Sequence, residues 1–304
     1  MQDEERRGLL FAALAVGLLS TSPVFTLWAD PLDPFVKTGL RMSVAAVAIW
    51  SAVGVGRLRG GGGRKGEAEP GLAPRSRQTT ALRFAAYGLI AALHFLFYIA
   101  SLSYTSPAQS LTLVYTAPVF VALSAAAFLH ESIRRRQWGG MLVAIAGVAL
   151  LANPFAPYPG HPNWLLGAAL ALGSAVMFGF YSVAGRYERA RYPLLRYAGG
   201  VYTAAALWLL PAVALTWPHP GGAPVSTGAW LAVAALGIFP LALGHTLYNA
   251  GLRRVHAASV NVIAAQEVTG GVLLSWLLLG LAPTPPELIG GAITLAGMWL
   301  VVSG

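Results

Sequence analysis

The chain has 304 residues, of which 56% are hydrophobic and 10% charged, with a formal net charge of +9 and no cysteine. A soluble domain could not hide that much apolar surface, so an integral membrane protein is expected. Disulfides, thiolate nucleophiles and Cys-ligated metals are excluded, and no nucleic-acid partner is expected, because the basic residues sit where membrane orientation requires them.

In chain order, apolar stretches cover 8–29, 34–56, 81–103, 106–129, 137–152, 164–185, 193–217, 228–251, 257–281 and 287–302. Each is close to the ~20 residues that a helix needs to cross bilayer hydrocarbon. Of the twenty Lys and Arg residues, all but Lys37 and Arg41 fall at alternate gaps between these stretches. Arg6 and Arg7 precede the first stretch. Arg57, Arg59, Arg64, Lys65, Arg75, Arg77 and Arg83 stand at the second gap, and Arg134, Arg135 and Arg136 at the fourth. Arg186, Arg189, Arg191 and Arg196 cluster at the sixth, with Arg253 and Arg254 at the eighth. The intervening gaps hold only Asp30, Asp33 and Glu287 as charged residues. Short basic loops stay cytoplasmic, so both termini are expected inside. The first apolar run is too long for a signal-peptide core and is read as a retained span.

The second gap, 57–80, reads as a flexible basic tether. Its glycines at 60–63, followed by Arg64-Lys65-Gly66, lack the Gly-Lys-Ser/Thr ending of a phosphate loop. No gap could house a nucleotide-binding domain. No cofactor is expected, and any transport would not be driven by ATP hydrolysed on this chain.

Sliding the chain against itself places Tyr98 on Tyr248, Leu102 on Leu252, Ala108 on Ala258, Gly140 on Gly290 and Gly147 on Gly297 without a gap. Residues 1–152 and 164–304 then form two repeats. An odd number of spans in each forces the second repeat to enter the membrane from the opposite side. Loop charge agrees: Arg134, Arg135 and Arg136 align with 284–286, which holds no basic residue, and Ser103-Tyr104 aligns with Arg253-Arg254. Inverted repeats characterise secondary transporters, which exchange the conformations of their halves around a midplane site.

The first copy carries Ser106-Pro107-Ala108, Pro118-Val119-Phe120, Leu129-His130-Glu131, Gln137-Trp138-Gly139-Gly140 and Gly147-Val148. The second carries Gly244-His245-Thr246-Leu247-Tyr248-Asn249-Ala250-Gly251-Leu252, Ala257-Ala258-Ser259, Gln266-Glu267-Val268 and Gly290. In order and spacing this set resembles the repeat of EamA-type members of the drug/metabolite transporter superfamily, and Arg41 also resembles a family position. The resemblance implies an all-α fold of ten transmembrane helices in two inverted five-helix repeats, a central substrate cavity, and export of small metabolites or amino acids. The family's Glu-Pro pair is split here between Ala117-Pro118 and Glu267-Val268. The acid that closes the fourth span is Glu131 in one copy and Leu281 in the other. A coupling role for those carboxylates would rest on one half only.

Ionisable groups at bilayer depth cost roughly 2.5–3.5 kcal/mol each and usually face a bundle interior or a watery cavity. Arg41, His94, His245 and Glu267 are the candidates. His94 and Tyr98 share a helical stripe with Tyr87 and Ser101; His245, Tyr248 and Asn249 form its counterpart on the eighth span. Tyr115 lies with Gln109, Thr112 and Thr116 on the fourth span, and Tyr181 with Ser174 and Phe178 on the sixth. His94, Tyr98, Tyr115, Tyr181, His245, Tyr248 and Asn249 are therefore the expected substrate contacts. The alternative for each is an interhelical hydrogen bond, typically worth only about 0.6 kcal/mol. Glu267 is expected either as a proton site or as a structural carboxylate, hydrogen-bonded or paired with an arginine such as Arg41. Arg41 is expected either to bind a substrate carboxylate or to snorkel to the extracellular interface. Pro23, Pro118, Pro240 and Gly270-Gly271 would loosen helices, and Gly139-Gly140 and Gly290-Gly291 would allow close packing.

These features together describe a secondary carrier in a prokaryotic cytoplasmic membrane, with a small organic solute as substrate, the lipid bilayer as surroundings and protons as the candidate coupling ion. Spans one to four and six to nine are expected around the cavity, five and ten outside it. An intramembrane enzyme built on His, Glu and Ser groups is the alternative of another class, and a receptor or scaffold a third. His130-Glu131 suggests a zinc helix, but Arg134 occupies the place of the second histidine, so no metal is expected. An enzyme would gather His and acidic side chains in hydrolytic geometry; a carrier would surround an aromatic cavity.

Overall fold

In hydrocarbon every backbone polar group must be satisfied within its own segment, so long apolar runs fold as helices. A computed structural model describes residues 2–58, 76–130, 132–151, 163–188, 191–218, 224–252, 254, 263, 264 and 266–303, and regular structure among them is entirely helical. The tether at 59–75, Glu131, Arg189, Arg253 and the Ala257-Ala258-Ser259 motif lie outside the described residues.

The helices are α1 (Gln2–Leu19), α2 (Ser22–Trp28), α3 (Pro34–Leu58), α4 (Arg77–Ser101), α5 (Pro107–Val114), α6 (Ala117–Leu129) and α7 (Arg135–Leu151). After them come α8 (Trp164–Glu188), α9 (Leu194–Thr216), α10 (Thr227–Leu236), a π-helical segment (Gly237–His245), α11 (Thr246–Leu252), α12 (Gln266–Leu279) and α13 (Pro285–Ser303). Among the described residues, seven helical stretches are long and apolar enough to cross a membrane, and Gln266–Leu279 and Pro285–Val301 are shorter apolar helices. Large side chains such as Val47, Leu142, Leu215 and Leu277 are each about two-thirds exposed or more on the outside of the bundle. Such a surface suits lipid and would be a liability in water.

Among the described residues, three of the apolar stretches depart from a continuous α-helix, each beside a proline. Proline removes an amide and its ring displaces the carbonyl four residues back. Pro23 separates α1 from α2, and Pro118 separates α5 from α6. The two breaks share one device: the hydroxyls of Thr21 and Thr116 donate to the carbonyls of Leu18 and Leu113 at 2.6 and 2.7 Å. The amides of the same threonines reach the same carbonyls at 3.2 and 3.1 Å. The third proline, Pro240, lies inside the π-helical segment, where the wider turn absorbs it and the chain runs on into α11.

α7 packs along α13, α3 along α9, α4 along α8 and α9, and α1 along α11 and the π segment. The α7–α13 seam is lined by glycine because only hydrogen fits there. A Cβ on Gly140 would stand 2.7 Å from the Gly297 carbonyl oxygen, and one on Gly147 2.8 Å from the Gly290 oxygen and 2.4 Å from Thr294 Oγ1. Gly140 thus meets Gly297 while Gly147 meets Gly290, so the two helices run antiparallel. Gly139, by contrast, has nothing within 4 Å of a Cβ, so its absent side chain does not explain the close packing there.

Three buried charged groups near helix ends are tied off. Glu188, fully buried at the end of α8, accepts from the Tyr87 hydroxyl at 2.8 Å and pairs with Arg83 at 3.4 Å and Arg191 at 3.9 Å. Glu287 caps the start of α13, its carboxylate accepting the Thr284 amide at 2.7 Å, as in one half of a capping box, and the Thr284 hydroxyl at 2.9 Å. Its other oxygen accepts from Ser106, the N-cap of α5. Lys37 is buried but donates to Asp30. Glu267 is therefore one of several acids buried in the helical bundle.

Candidate functional site

A cavity of about 150 Å³ lies among α1, α3, α4, the α5–α6 break, α8, the π segment, α11, α12 and α13. An apolar cavity of that size takes up a molecule as large as benzene, so this one suits a small solute. Its position follows from the interruptions. The α1–α2 break brings Leu19 and Ser22 to the wall, and the α5–α6 break brings Tyr115, Ala117 and Pro118.

α4 contributes His94, Phe95 and Tyr98, consecutive positions of one helical stripe. His94 is 5% exposed and bonds from Nδ1 to the Ser174 carbonyl at 2.9 Å, while the Ser174 hydroxyl donates to the His94 carbonyl at 2.9 Å. A ring that donates from Nδ1 keeps Nε2 as its acceptor. Ser174 also stands 2.9 Å from the ring nitrogen, but it is fully buried and is not on the cavity wall. The pair ties α4 to α8, and His94 combines that interhelical role with a place on the wall. Phe95 supports two charged or polar neighbours. The His245 ring meets it edge-on at 5.4 Å, and the Arg41 guanidinium sits 4.5 Å from its centroid.

Arg41 does not snorkel to an interface. It is 1% exposed on α3, its Nε and Nη1 have no hydrogen-bond partner, and it pairs with no described carboxylate. Glu267, at the start of α12, lines the same cavity and accepts a hydrogen bond from the Tyr115 hydroxyl. Glu267 and Arg41 thus share a cavity without forming the direct ion pair considered from the sequence.

Of the expected contacts, His94, Tyr98, Tyr115, His245 and Tyr248 lie on the wall together with Arg41 and Glu267. Tyr181 and Asn249 do not. Tyr181 packs its ring 6.0 Å from Phe178, which does line the cavity, and Asn249 donates to the His245 carbonyl at 2.7 Å. The expectation that the last span stands outside the cavity needs correction, since Leu295, Met298 and Trp299 of α13 are on the wall. Apart from Glu287 in its first turn and Thr294 in the seam, α13 carries almost no polar side chain to say which side faces inward; the glycine seam with α7 sets that rotation. Phe95 was also missed, although its place beside His94, one turn from Tyr98, was a usable signal.

The family model described as "EamA-like transporter family" matches residues 6–153 and 165–303. A protein of Streptantibioticus cattleyicolor named "Probable terminal-alkyne amino-acid exporter" is 32% identical over 62% of this chain and 62% of its own length. The match with that relative therefore spans under two-thirds of either chain. The "Aromatic amino acid exporter YddG" of Ancylobacter novellus is 28% identical over 97% of this chain and 94% of its own. A crystal structure with 24% identity superposes with a TM-score of 0.65 over 97% of this chain and 96% of the other, which fixes the fold.

Proposed function

This chain belongs to the EamA-like transporter family, and from that premise we propose that it exports small metabolites, amino acids among them, by alternating access around the cavity. The observation that carries this reading is the convergence of His94, Tyr98 and Tyr115 from one half with His245, Tyr248 and Glu267 from the other on a single cavity. Aromatic rings would hold apolar parts of the solute and the histidines its polar groups. Tyr181 and Asn249 would act from behind, through Phe178 and His245. Glu267 would take up a proton in exchange for solute.

We further read the chain as two inverted repeats, 1–152 and 164–304, making ten spans with both termini in the cytoplasm of a prokaryotic cell. The crossed glycines support this. The sequence repeat maps Gly140 onto Gly290 and Gly147 onto Gly297, so a twofold axis turns the Gly140–Gly297 contact into the Gly147–Gly290 contact. Both contacts occur, with the helices antiparallel.

Purified protein in proteoliposomes loaded with labelled amino acids tests the proposal. Saturable efflux is expected, altered by an imposed pH gradient. His94→Ala or Tyr98→Ala should slow efflux at least about tenfold, the effect of losing about 1.4 kcal/mol of binding. Efflux unchanged in both variants removes the cavity reading, and no efflux of any solute removes the transport reading. Accessibility tags at residues 60 and 130 should both report the cytoplasmic side; opposite sides refute the topology.

A further inference from the structure

Most buried polar side chains among the described residues have a partner, which makes unpaired N–H donors on a buried cation informative. The Arg41 guanidinium is 1% exposed, lies on the cavity wall, and leaves Nε and Nη1 without a hydrogen bond. Its neighbour at 4.5 Å is the face of Phe95, which stabilises positive charge but offers no acceptor in the guanidinium plane. Phe95 therefore gives the guanidinium a π face but no hydrogen-bond acceptor, and the Nε and Nη1 donors are left for another molecule. A planar fork of donors is matched best by a carboxylate or a similar oxyanion. Glu267 does not supply it: that carboxylate takes its hydrogen bond from Tyr115 on the α5–α6 break. The cavity thus carries one positive and one negative side chain that are not joined to each other. Beside its His and Tyr residues, the same wall carries the apolar side chains of Phe178, Leu295, Met298 and Trp299.

We propose that Arg41 and Glu267 are the two poles of a clamp for zwitterionic α-amino acids. Arg41 takes the carboxylate, Glu267 takes the ammonium, and the side chain of the solute lies against Phe178, Leu295, Met298 and Trp299. This rests on the carrier reading above and narrows it from small metabolites to solutes with both charges close together. A solute with one charge leaves the opposite pole buried and unpaired, which is a penalty larger than the loss of a contact. It also gives Glu267 two alternative occupants, a proton or an ammonium. The bulk of the solute is limited by a cavity of about 150 Å³.

The test uses the full chain in proteoliposomes. Efflux of the protein amino acids is measured first. For the fastest, its decarboxylated amine and its deaminated acid are then added as competitors. The amino acid is expected to leave, and each single-charge analogue to compete at least about thirty-fold more weakly, the ratio equivalent to about 2 kcal/mol. In Arg41→Gln the amine should compete as well as the amino acid, and in Glu267→Gln the deaminated acid should, while Arg41→Lys keeps part of the discrimination. Gel filtration in detergent checks that each variant is folded, and the analogue series on the unmutated protein needs no variant at all. The clamp is overturned if either analogue competes as well as its parent on the unmutated protein, or if Arg41→Gln and Glu267→Gln keep full discrimination. Export confined to solutes lacking a carboxylate also overturns it while leaving the carrier intact. Absence of efflux for every solute tested overturns both.

Discussion

Lys37 and Arg41 stand one turn apart on α3, at 2% and 1% exposure, and the fold treats them oppositely. Lys37 is answered at once by Asp30 from the preceding turn, whereas Arg41 faces an aromatic ring and a cavity. The acids divide in the same way. Glu188 and Glu287 are held by several donors each at helix ends, while Glu267 has the Tyr115 hydroxyl beside a void. Charges that fasten helices are satisfied by protein; those on the cavity wall are the ones we propose for solute and proton.

Substitution can break this contrast. Glu188→Ala removes the acceptor that Tyr87, Arg83 and Arg191 share, and should lower stability in detergent by about 2 kcal/mol; its partners are partly exposed, which keeps the loss below that of a fully buried pair. Glu267→Gln should leave the unfolding midpoint unchanged or raise it while impairing transport. A lower midpoint for Glu267→Gln than for Glu188→Ala would dissolve the distinction. Tyr115→Phe removes the donor to Glu267 and should slow efflux about tenfold, equivalent to about 1.4 kcal/mol, with little change in the midpoint. Asp30→Ala exposes the least: Asp30 is 59% exposed, so water replaces much of what Lys37 loses, and stability should fall by about 0.5–1 kcal/mol with efflux intact. Thermal unfolding followed by tryptophan fluorescence measures the stability terms, and a flux defect in Asp30→Ala would move Lys37 to the functional side.

Hydropathy and the alternation of Arg-rich gaps made the helical class legible, because a bilayer allows few alternatives to a helix for an apolar run. Pro23, Pro118 and Pro240 were legible as interruptions, but not as two breaks and one π-helical segment, since a missing amide can be absorbed in any of these ways. His94, Tyr98, His245 and Tyr248 could be placed on the wall because polar residues define a face. Leu295, Met298 and Trp299 could not, because a helix with almost no polar side chains carries no such mark. Glu188 escaped notice as an acid at a span's end, where exposure is the default; its burial depends on Arg83 and Tyr87, far away in sequence.

The seam of α7 and α13 has a mechanical consequence. Backbone touches backbone there, with Gly147 against Thr294 and Gly140 against Gly297, so a methyl added at Gly140, Gly147 or Gly297 would prise the pair apart. Two rods seated so tightly are expected to move as one strut, and the proposed alternating access would hinge around that strut rather than through it.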